Sequence, residues 1–243
     1  MAANENNRIF LQAALNARDH PANPTTPHSI AAQAAIAVAA GAQSVHLHPY
    51  DASGRQSLDA HDCAATLQEV RAACPGIAIS LTTSAEVEPN PQKRLELISN
   101  WTELPDLVTA NQGEPGIVEI TELLAERGVG IEAGLLSLDD AHQFIAAGIA
   151  PLCHRVMVEP LDGDPAAALA HAEAIESALA TAGITLEQVH HGDGVASWAV
   201  NRRAIDRGHG IRTGLEDTSV LPDGRVAKDN GELVEAAVVL TEN

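Results

Sequence analysis

Residues 9–48 read IFLQAALNARDHPANPTTPHSIAAQAAIAVAAGAQSVHLH and contain one complete strand–helix–strand unit. The apolar run 9–15 predicts a strand. The Ala-rich stretch 26–40 predicts a helix, because it begins with a Thr-Pro pair that suits an N-cap and a first helical position. Residues 44–48 predict the next strand. The turn after the first strand, NARD (residues 16–19), has no GxGxxG sequence, which disfavours an open dinucleotide-binding sheet.

The same alternation of short apolar runs and longer amphipathic runs continues along the chain. Eight strand–helix units follow one another without a linker, which predicts an α/β fold with a closed parallel (β/α)8 TIM barrel. We expect a single catalytic domain over residues 1–243, and an open doubly wound sheet is the alternative. The predicted strands are 9–15, 44–48, 77–82, 107–111, 130–133, 153–159, 187–191 and 210–216. The predicted helices are 26–40, 58–74, 91–101, 116–127, 138–147, 165–182, 196–207 and 229–240.

The charge balance bears on the possible partners. The chain has 14 Lys+Arg against 33 Asp+Glu, a formal net charge of -19. Nucleic acids and anionic membranes attract clustered positive charge, so this balance argues against both as partners. Cys63, Cys74 and Cys153 form no close pair, which argues against a disulfide framework and favours a reducing compartment. Because no segment resembles a signal peptide or a membrane span, we expect a soluble, cytoplasmic protein.

Polar residues collect where the predicted strands end. Barrel enzymes place their chemistry at the carboxyl ends of the strands, and a purely structural protein has no need for polar groups at one rim. The pattern therefore predicts an active site at that rim. In chain order, the polar residues are Asn16, Arg18, His46, His48, Thr82, Thr83, Ser84, Asn111, Glu114, Glu132, Arg155, Glu159, His190, His191, Asp193, Arg212, Glu216 and Asp217.

A metal site is the sharpest hypothesis that these residues support. His46 and His48 are two residues apart on a strand, so they point to the same face and suit two metal ligands. Strand alternation over 210–216 places Arg212 and Glu216 on one face, and Glu216 would complete a His₂Glu zinc site with one open position. Two other interpretations remain open: hydrogen-bonded core histidines, and a buried Arg212–Glu216 ion pair.

The sequence lacks the motifs of several covalent mechanisms, which argues against those mechanisms. Lys93 and Lys228 do not end a predicted strand, so a Schiff-base mechanism has no nucleophile. The sequence has no GxSxG elbow and no cysteine beside a histidine at a strand end. Metal-assisted carbonyl chemistry remains, with an amidohydrolase-type hydrolase or a non-catalytic metal-binding barrel as alternatives. The HHGDG turn (190–194) could supply ligands, accept a phosphate or cap a helix, while Glu132 and Glu159 are expected to orient ligands or pair with Arg155.

Beyond single motifs, the order of short stretches along the chain resembles one known family. These stretches are LNAR (15–18), HP (20–21), TP (26–27), AGA (40–42), VHLHP (45–49), LTT (81–83), IEAG (131–134), HGDG (191–194), GLEDT (214–218), LPDG (221–224) and DN (229–230). Together they resemble the β-keto acid cleavage enzymes from about residue 9 to 240. The resemblance implies a zinc-dependent barrel that condenses a β-keto acid with acetyl-CoA, giving acetoacetate and a new acyl-CoA.

The resemblance also implies roles for single residues. His46, His48 and Glu216 match the zinc ligands of the family. Asp217 matches its general base, and Arg212 matches the residue that positions the base and lowers its pKa. The family also has a hydroxyl residue near the substrate, and Thr82 is a less direct match to that position.

Two departures from the family pattern concern the substrate pocket. A Gly that is usual in the first turn is missing between Asn16 and Ala17, and Tyr50 stands where an Arg is common. We therefore expect a substrate whose distal end is neutral or apolar, because a tyrosine offers no cation to a second carboxylate. A homo-oligomer is also expected. The predicted substrate contacts are Arg18, Tyr50, Asn111 and Glu114.

Overall fold

The first strand pairs with the second and with the last: Ala14 lies beside His46, and Gln12 lies beside Arg212. The computed structural model describes residues 9–17 and 20–242. In these residues, eight parallel strands pair in chain order and close on one another, which confirms the predicted TIM barrel and excludes the open sheet. The strands are β1 (Leu11–Ala14), β2 (Ser44–Leu47), β3 (Ala78–Thr82), β4 (Leu107–Asn111), β5 (Gly130–Leu135), β6 (Arg155–Val158), β7 (Glu187–His190) and β8 (Gly210–Thr213).

An α-helix follows each strand. The first helix begins as the sequence predicts: the Thr26 side chain accepts a hydrogen bond from the Ser29 backbone N–H at 3.2 Å, and Pro27 takes the first helical position. Among the described residues, no helix has the length and apolar character needed to cross a membrane. The helices are α1 (Pro27–Ala40), α2 (Ala60–Ala73), α3 (Pro91–Ser99), α4 (Ile117–Glu126), α5 (Leu138–Ala147), α6 (Pro165–Thr181), α7 (Ser197–Asp206) and α8 (Asn230–Thr241).

The last strand is shorter than the predicted range 210–216. The chain leaves the sheet at Gly214, whose carbonyl accepts a hydrogen bond from the Asp217 backbone N–H at 3.0 Å. Glycine is required at this position because a Cβ atom would collide with the carbonyl oxygen of Ala14. The alternation argument for Glu216 was therefore wrong in its geometry: Glu216 reaches the barrel mouth from a tight turn and not along a strand.

Apolar and polar side chains divide between the two faces of the barrel wall. Val45 and Ile79 are fully buried in the apolar core, which the helices complete on the outside. On the inside, Gln12 of β1 donates a hydrogen bond at 2.8 Å to Glu132 of β5, across the barrel. A contact between distant strands is possible only through the interior, so the barrel is filled partly by polar groups. This polar filling continues upward to the carboxyl ends of the strands.

Candidate metal centre and active site

A cavity of about 350 Å³ opens at the carboxyl ends of the strands. This is the end at which TIM-barrel enzymes carry their active sites. The wall brings together imidazole, hydroxyl, carboxylate and guanidinium groups that are far apart in the sequence. Its lining residues are Ala17, His46, His48, Thr82, Ser84, Glu86, Thr109, Asn111, Glu114, Leu136, Glu159, Leu161, Arg212 and Glu216.

Three of the lining residues form a compact set of donor atoms. The Nε2 atom of His46 lies 3.6 Å from Oε2 of Glu216, and the Nε2 atom of His48 lies 3.7 Å from Oε1 of the same carboxylate. All the donor atoms of the set lie within 4.8 Å of one another. Zinc binds such atoms at about 2.0–2.2 Å, so one small cation fits between them with little movement. The structure thus brings together the three predicted ligands, and their role as ligands stays a prediction.

The protonation of the set also suits a divalent cation. The Nδ1 atom of His48 lies 2.7 Å from Oε1 of Gln56, which only accepts, so Nδ1 donates that hydrogen bond and Nε2 is the nitrogen that faces Glu216. Burial lowers the pKa of His46 to about 3, which leaves that imidazole neutral. Burial alone would raise the pKa of Glu216, but the Arg212 guanidinium holds it well below its usual value. Two imidazole nitrogens and one ionised carboxylate are a donor set that fits zinc.

One oxygen of the Glu216 carboxylate has no hydrogen-bond partner among the described residues. Oε1 of Glu216 accepts a hydrogen bond from Arg212 at 3.0 Å, whereas Oε2 is buried and has no hydrogen-bond partner among the described residues. A buried carboxylate oxygen without a partner is costly, and a cation would satisfy it. This orphaned oxygen faces His46, where an ion would sit.

Arg212 holds the predicted base, Asp217, from two sides. Its Nη2 atom donates to Oδ1 of Asp217 at 2.6 Å, and its Nε atom donates to Oδ2 at 3.3 Å. Burial alone would raise the pKa of Asp217, but Arg212, with a smaller effect from His191, holds it below its usual value. The carboxylate is therefore ionised and able to accept a proton. Asp217 is only 2% exposed and is not among the lining residues of the cavity.

The two histidines of the HHGDG turn face opposite sides of the barrel wall. His191 is buried between two carboxylates, with Nδ1 3.3 Å from Oδ1 of Asp217 and Nε2 3.4 Å from Oε2 of Glu159. His190 instead stacks on the His209 ring, with the centroids 4.7 Å apart. Neither joins the metal-binding set in the described part of the chain. The sequence left the role of this turn open, and the geometry connects His191 to the predicted base.

The other predicted site residues divide into two groups. Thr82, Asn111 and Glu114 line the cavity, and the Asn111 side-chain amide donates to Glu114 at 3.2 Å. Tyr50 does not line it: its side chain is buried, and its hydroxyl accepts a hydrogen bond from Asn23 at 3.3 Å. Arg18 lies outside the described residues. Of the predicted substrate contacts that the structure describes, Asn111 and Glu114 reach the cavity wall.

The sequence did not identify two side chains that contact the predicted metal-binding histidines. Gln56 and Ser80 contact the two imidazoles, Gln56 from a loop and Ser80 from β3. A signal existed for Ser80, which is a polar residue two positions before Thr82 and so on the same face of the strand. No sequence pattern identified Gln56. An amidohydrolase-type site would need histidines on the middle strands, where Glu132 and Arg155 instead form an ion pair at 3.3 Å.

Comparisons with known proteins agree with this geometry. The family model of the β-keto acid cleavage enzymes matches residues 9–243. A curated relative, the 3-keto-5-aminohexanoate cleavage enzyme of Fusobacterium nucleatum subsp. nucleatum, is 28% identical over 236 residues, which are 92% of this chain and 85% of the relative.

Solved structures add evidence on the fold. A ternary complex of ObcA with a C4-CoA adduct and oxalate has a TM-score of 0.73 and 17% identity, covering 91% of this chain and 64% of that one. A 3-dehydroquinate dehydratase from Geobacillus kaustophilus has a TM-score of 0.63 and 12% identity, covering 96% and 90%. This chain thus spans just under two thirds of ObcA, and at these identities both likenesses show the barrel fold alone. The match of the family model over nearly the whole sequence shows more: the chain belongs to the β-keto acid cleavage enzyme family.

Proposed function

We propose that this chain transfers acyl groups between a β-keto acid and acetyl-CoA, giving acetoacetate and a new acyl-CoA. The observation that carries the proposal is the buried His46–His48–Glu216 set at the mouth of a barrel of this family. A zinc-like divalent cation held there would polarise the ketone oxygen of the substrate. The predicted cytoplasmic location and homo-oligomer stay predictions.

The proposed reaction conserves every atom. Asp217 takes a proton from the carbon between the ketone and the carboxylate of the keto acid, and the electron pair left there attacks the thioester carbon of acetyl-CoA. The C–S bond of acetyl-CoA breaks, and the CoA sulfur then attacks the ketone carbon of the original keto acid. The bond between that carbon and its neighbour breaks, its electron pair leaves with the acetoacetate fragment, and this carbanion takes the proton back from Asp217. Arg212 positions Asp217 throughout, since it holds both carboxylate oxygens.

The base assignment has a sharp test, because two carboxylates are candidates. Asp217→Asn keeps size and hydrogen bonding but removes basicity, so turnover should fall by roughly 10²–10⁴-fold with metal content unchanged. Glu159→Gln is the matched comparison, since Glu159 lines the cavity while Asp217 lies behind it. A larger loss in Glu159→Gln than in Asp217→Asn would reassign the base to Glu159. Loss of metal from Asp217→Asn would instead make it a ligand.

The charges around the cavity support a substrate with a neutral distal end. Three carboxylates line it besides Glu216, namely Glu86, Glu114 and Glu159. The cation among the described lining residues, Arg212, is already engaged by Glu216 and Asp217. A second carboxylate on the keto acid would therefore meet like charge. We expect a higher kcat/KM for a neutral-tailed keto acid than for one that ends in a carboxylate.

The overall activity can be tested with a panel of β-keto acids. Each is incubated with acetyl-CoA and the metal-loaded protein, and the CoA esters are identified by mass spectrometry. We expect acetoacetate and one new acyl-CoA per accepted keto acid, with turnover abolished by a chelator and restored by Zn²⁺. Hydrolysis of thioesters or amides without any acyl exchange would contradict the proposal.

A further inference from the structure

We propose that Ser80 and Glu132 form a buried relay that holds His46 as a metal ligand and strengthens the binding of the cation. The inference rests on the proposed metal centre and adds to it two positioning residues that lie below the cavity. Both residues are completely buried. They come from two different strands, β3 and β5, and meet His46 of β2 inside the barrel.

The relay begins at the imidazole nitrogen that faces away from the metal-binding set. His46 directs Nε2 toward Glu216, at 3.6 Å from Oε2. Its other nitrogen, Nδ1, lies 3.1 Å from Oγ of Ser80. Because Nε2 must present a lone pair to a cation, Nδ1 carries the proton and donates it in a hydrogen bond to Ser80.

The second link runs from the hydroxyl to a carboxylate. Ser80 Oγ lies 2.5 Å from Oε2 of Glu132, and a carboxylate can only accept, so the Ser80 hydroxyl donates. The order is thus imidazole N–H to hydroxyl oxygen, and hydroxyl O–H to carboxylate. His46 and Ser80 each donate one hydrogen bond toward Glu132, so the two hydrogen bonds can form at the same time.

Glu132 is fixed by its remaining contacts. Its Oε1 atom accepts a hydrogen bond from Gln12 at 2.8 Å and lies 3.3 Å from Nε of Arg155. The Arg155 guanidinium is itself held 4.1 Å above the Phe10 ring. With Oε1 occupied from below, Oε2 is left for Ser80. The carboxylate therefore has one orientation, and that orientation points its charge at His46.

A carboxylate at the end of such a chain changes the ligand in two ways. It prevents rotation of the imidazole, so the lone pair stays aimed at the ion. It also draws the Nδ1 proton and increases the electron density at Nε2, which makes the nitrogen a stronger ligand. Removing partners of this kind typically weakens metal binding by about 10–100-fold.

A weaker parallel route passes through Thr109. Its Oγ1 atom lies 3.3 Å from Nδ1 of His46 and 3.4 Å from Oε2 of Glu132. Both distances exceed those of the Ser80 route, so Ser80 is the main link. Both routes end at Glu132. Loss of the Glu132 charge should therefore affect the metal at least as much as loss of the Ser80 hydroxyl.

The experiment measures Zn²⁺ affinity by competition with a chromogenic chelator, starting from metal-free protein. Ser80→Ala is expected to raise the Kd at least about tenfold, and Glu132→Gln, which keeps every heavy-atom position filled, by as much or more. The matched control is Ser44→Ala. Ser44 is another buried serine, two residues before His46, but its hydroxyl donates to the Ala78 carbonyl and takes no part in the relay. Its Kd should stay within about threefold of wild type.

Two further readouts separate this role from a structural one. The melting temperature of each metal-free variant shows whether it folds, and the absorption spectrum of the Co²⁺-loaded protein reports the geometry at the ion. A lower melting temperature with an unchanged Kd in both Ser80→Ala and Glu132→Gln would overturn the relay while the metal centre stands. A wild-type protein that binds no Zn²⁺ would overturn the metal centre, and the relay with it.

Discussion

His46 and His48 stand two residues apart in the chain, yet their surroundings differ in kind. His46 belongs to β2, and its Nδ1 atom contacts Ser80 inside the barrel, above the buried Glu132. His48 follows the strand, and its Nδ1 atom contacts the half-buried amide of Gln56 in the loop before α2. One imidazole is thus supported by a charged group in the rigid interior, and the other by a neutral group at the rim. We call these the inner and outer supports.

The outer support depends on connections between loops. The backbone N–H of His48 donates to Oδ1 of Asn16 at 2.8 Å, and the Asn16 amide donates to the His48 carbonyl at 2.9 Å. Gln56 in turn donates to the carbonyl of Ala17 at 3.4 Å. Both connections lead to the loop after β1, which also lines the cavity through Ala17. The outer histidine is therefore connected to a loop that forms part of the cavity wall, and the inner one to the barrel interior.

The largest difference between the two regions should appear in stability. Arg155→Met leaves the Glu132 carboxylate buried without its cation, and breaking a buried pair in this way costs about 3–5 kcal/mol. Arg55→Met breaks a comparable pair near the outer support, with Asp51 at 3.0 Å, but there the Arg55 side chain is 80% exposed. That loss should be much smaller, because solvent screens an exposed ion pair. Urea denaturation of the two metal-free variants gives both numbers, and equal losses would contradict the distinction.

A smaller difference should appear in metal affinity. Gln56→Ala removes the acceptor of the His48 Nδ1 proton, so the ring is free to rotate and the Zn²⁺ Kd should rise. Because Gln56 carries no charge, we expect about tenfold or less, the low end of such effects. Gln92→Ala, an exposed glutamine on α3, is the control and should bind Zn²⁺ as wild type does. A loss from Gln56→Ala that exceeds the loss from Ser80→Ala would reverse the ranking of the two supports.

The sequence predicts the inner region better than the outer one. Alternation of apolar runs predicts the barrel, and the spacing of His46 and His48 places both imidazoles at its mouth, because strand geometry is regular. The same rule failed for Glu216, where the turn at Gly214 replaces the expected strand. Gln56 could not be predicted, since its contact depends on how two loops meet.

Contacts between residues on different sides of the barrel could not be predicted from the sequence, for a related reason. Glu132 lies 52 positions from Ser80, and only the closure of the sheet brings them together. The sequence places Glu132 and Arg155 at the carboxyl ends of their strands, which is wrong, because β5 continues to Leu135 and β6 begins at Arg155. The predicted pairing of Glu132 with Arg155 is confirmed. The second contact of Glu132, through Ser80 to His46, could not be predicted, because it depends on how β3 and β5 are aligned across the barrel. Local patterns fix what a residue faces, and pairing around the barrel decides which residue it meets.

The smallest effect is expected at Tyr50, in the loop of the outer support. The Tyr50 hydroxyl accepts one hydrogen bond, from Asn23 at 3.3 Å, and its ring does not line the cavity. Tyr50→Phe should therefore cost about 0.5–1.5 kcal/mol of stability, the usual net value of one hydrogen bond. The ratio of kcat/KM between a neutral-tailed and a carboxylate-tailed keto acid should stay unchanged, because the side chain does not line the cavity.

Glu86→Gln is the comparison for selectivity, since it removes one carboxylate from the cavity wall while Tyr50 stays in place. Because the group is exposed, weakened repulsion should move the ratio toward the carboxylate-tailed acid by only a few fold. Kinetics of both variants with both substrates decide between the two positions. A tenfold change in Tyr50→Phe with none in Glu86→Gln would make Tyr50 the selector. The outer loop would then act on the substrate directly, and not only through its hold on His48.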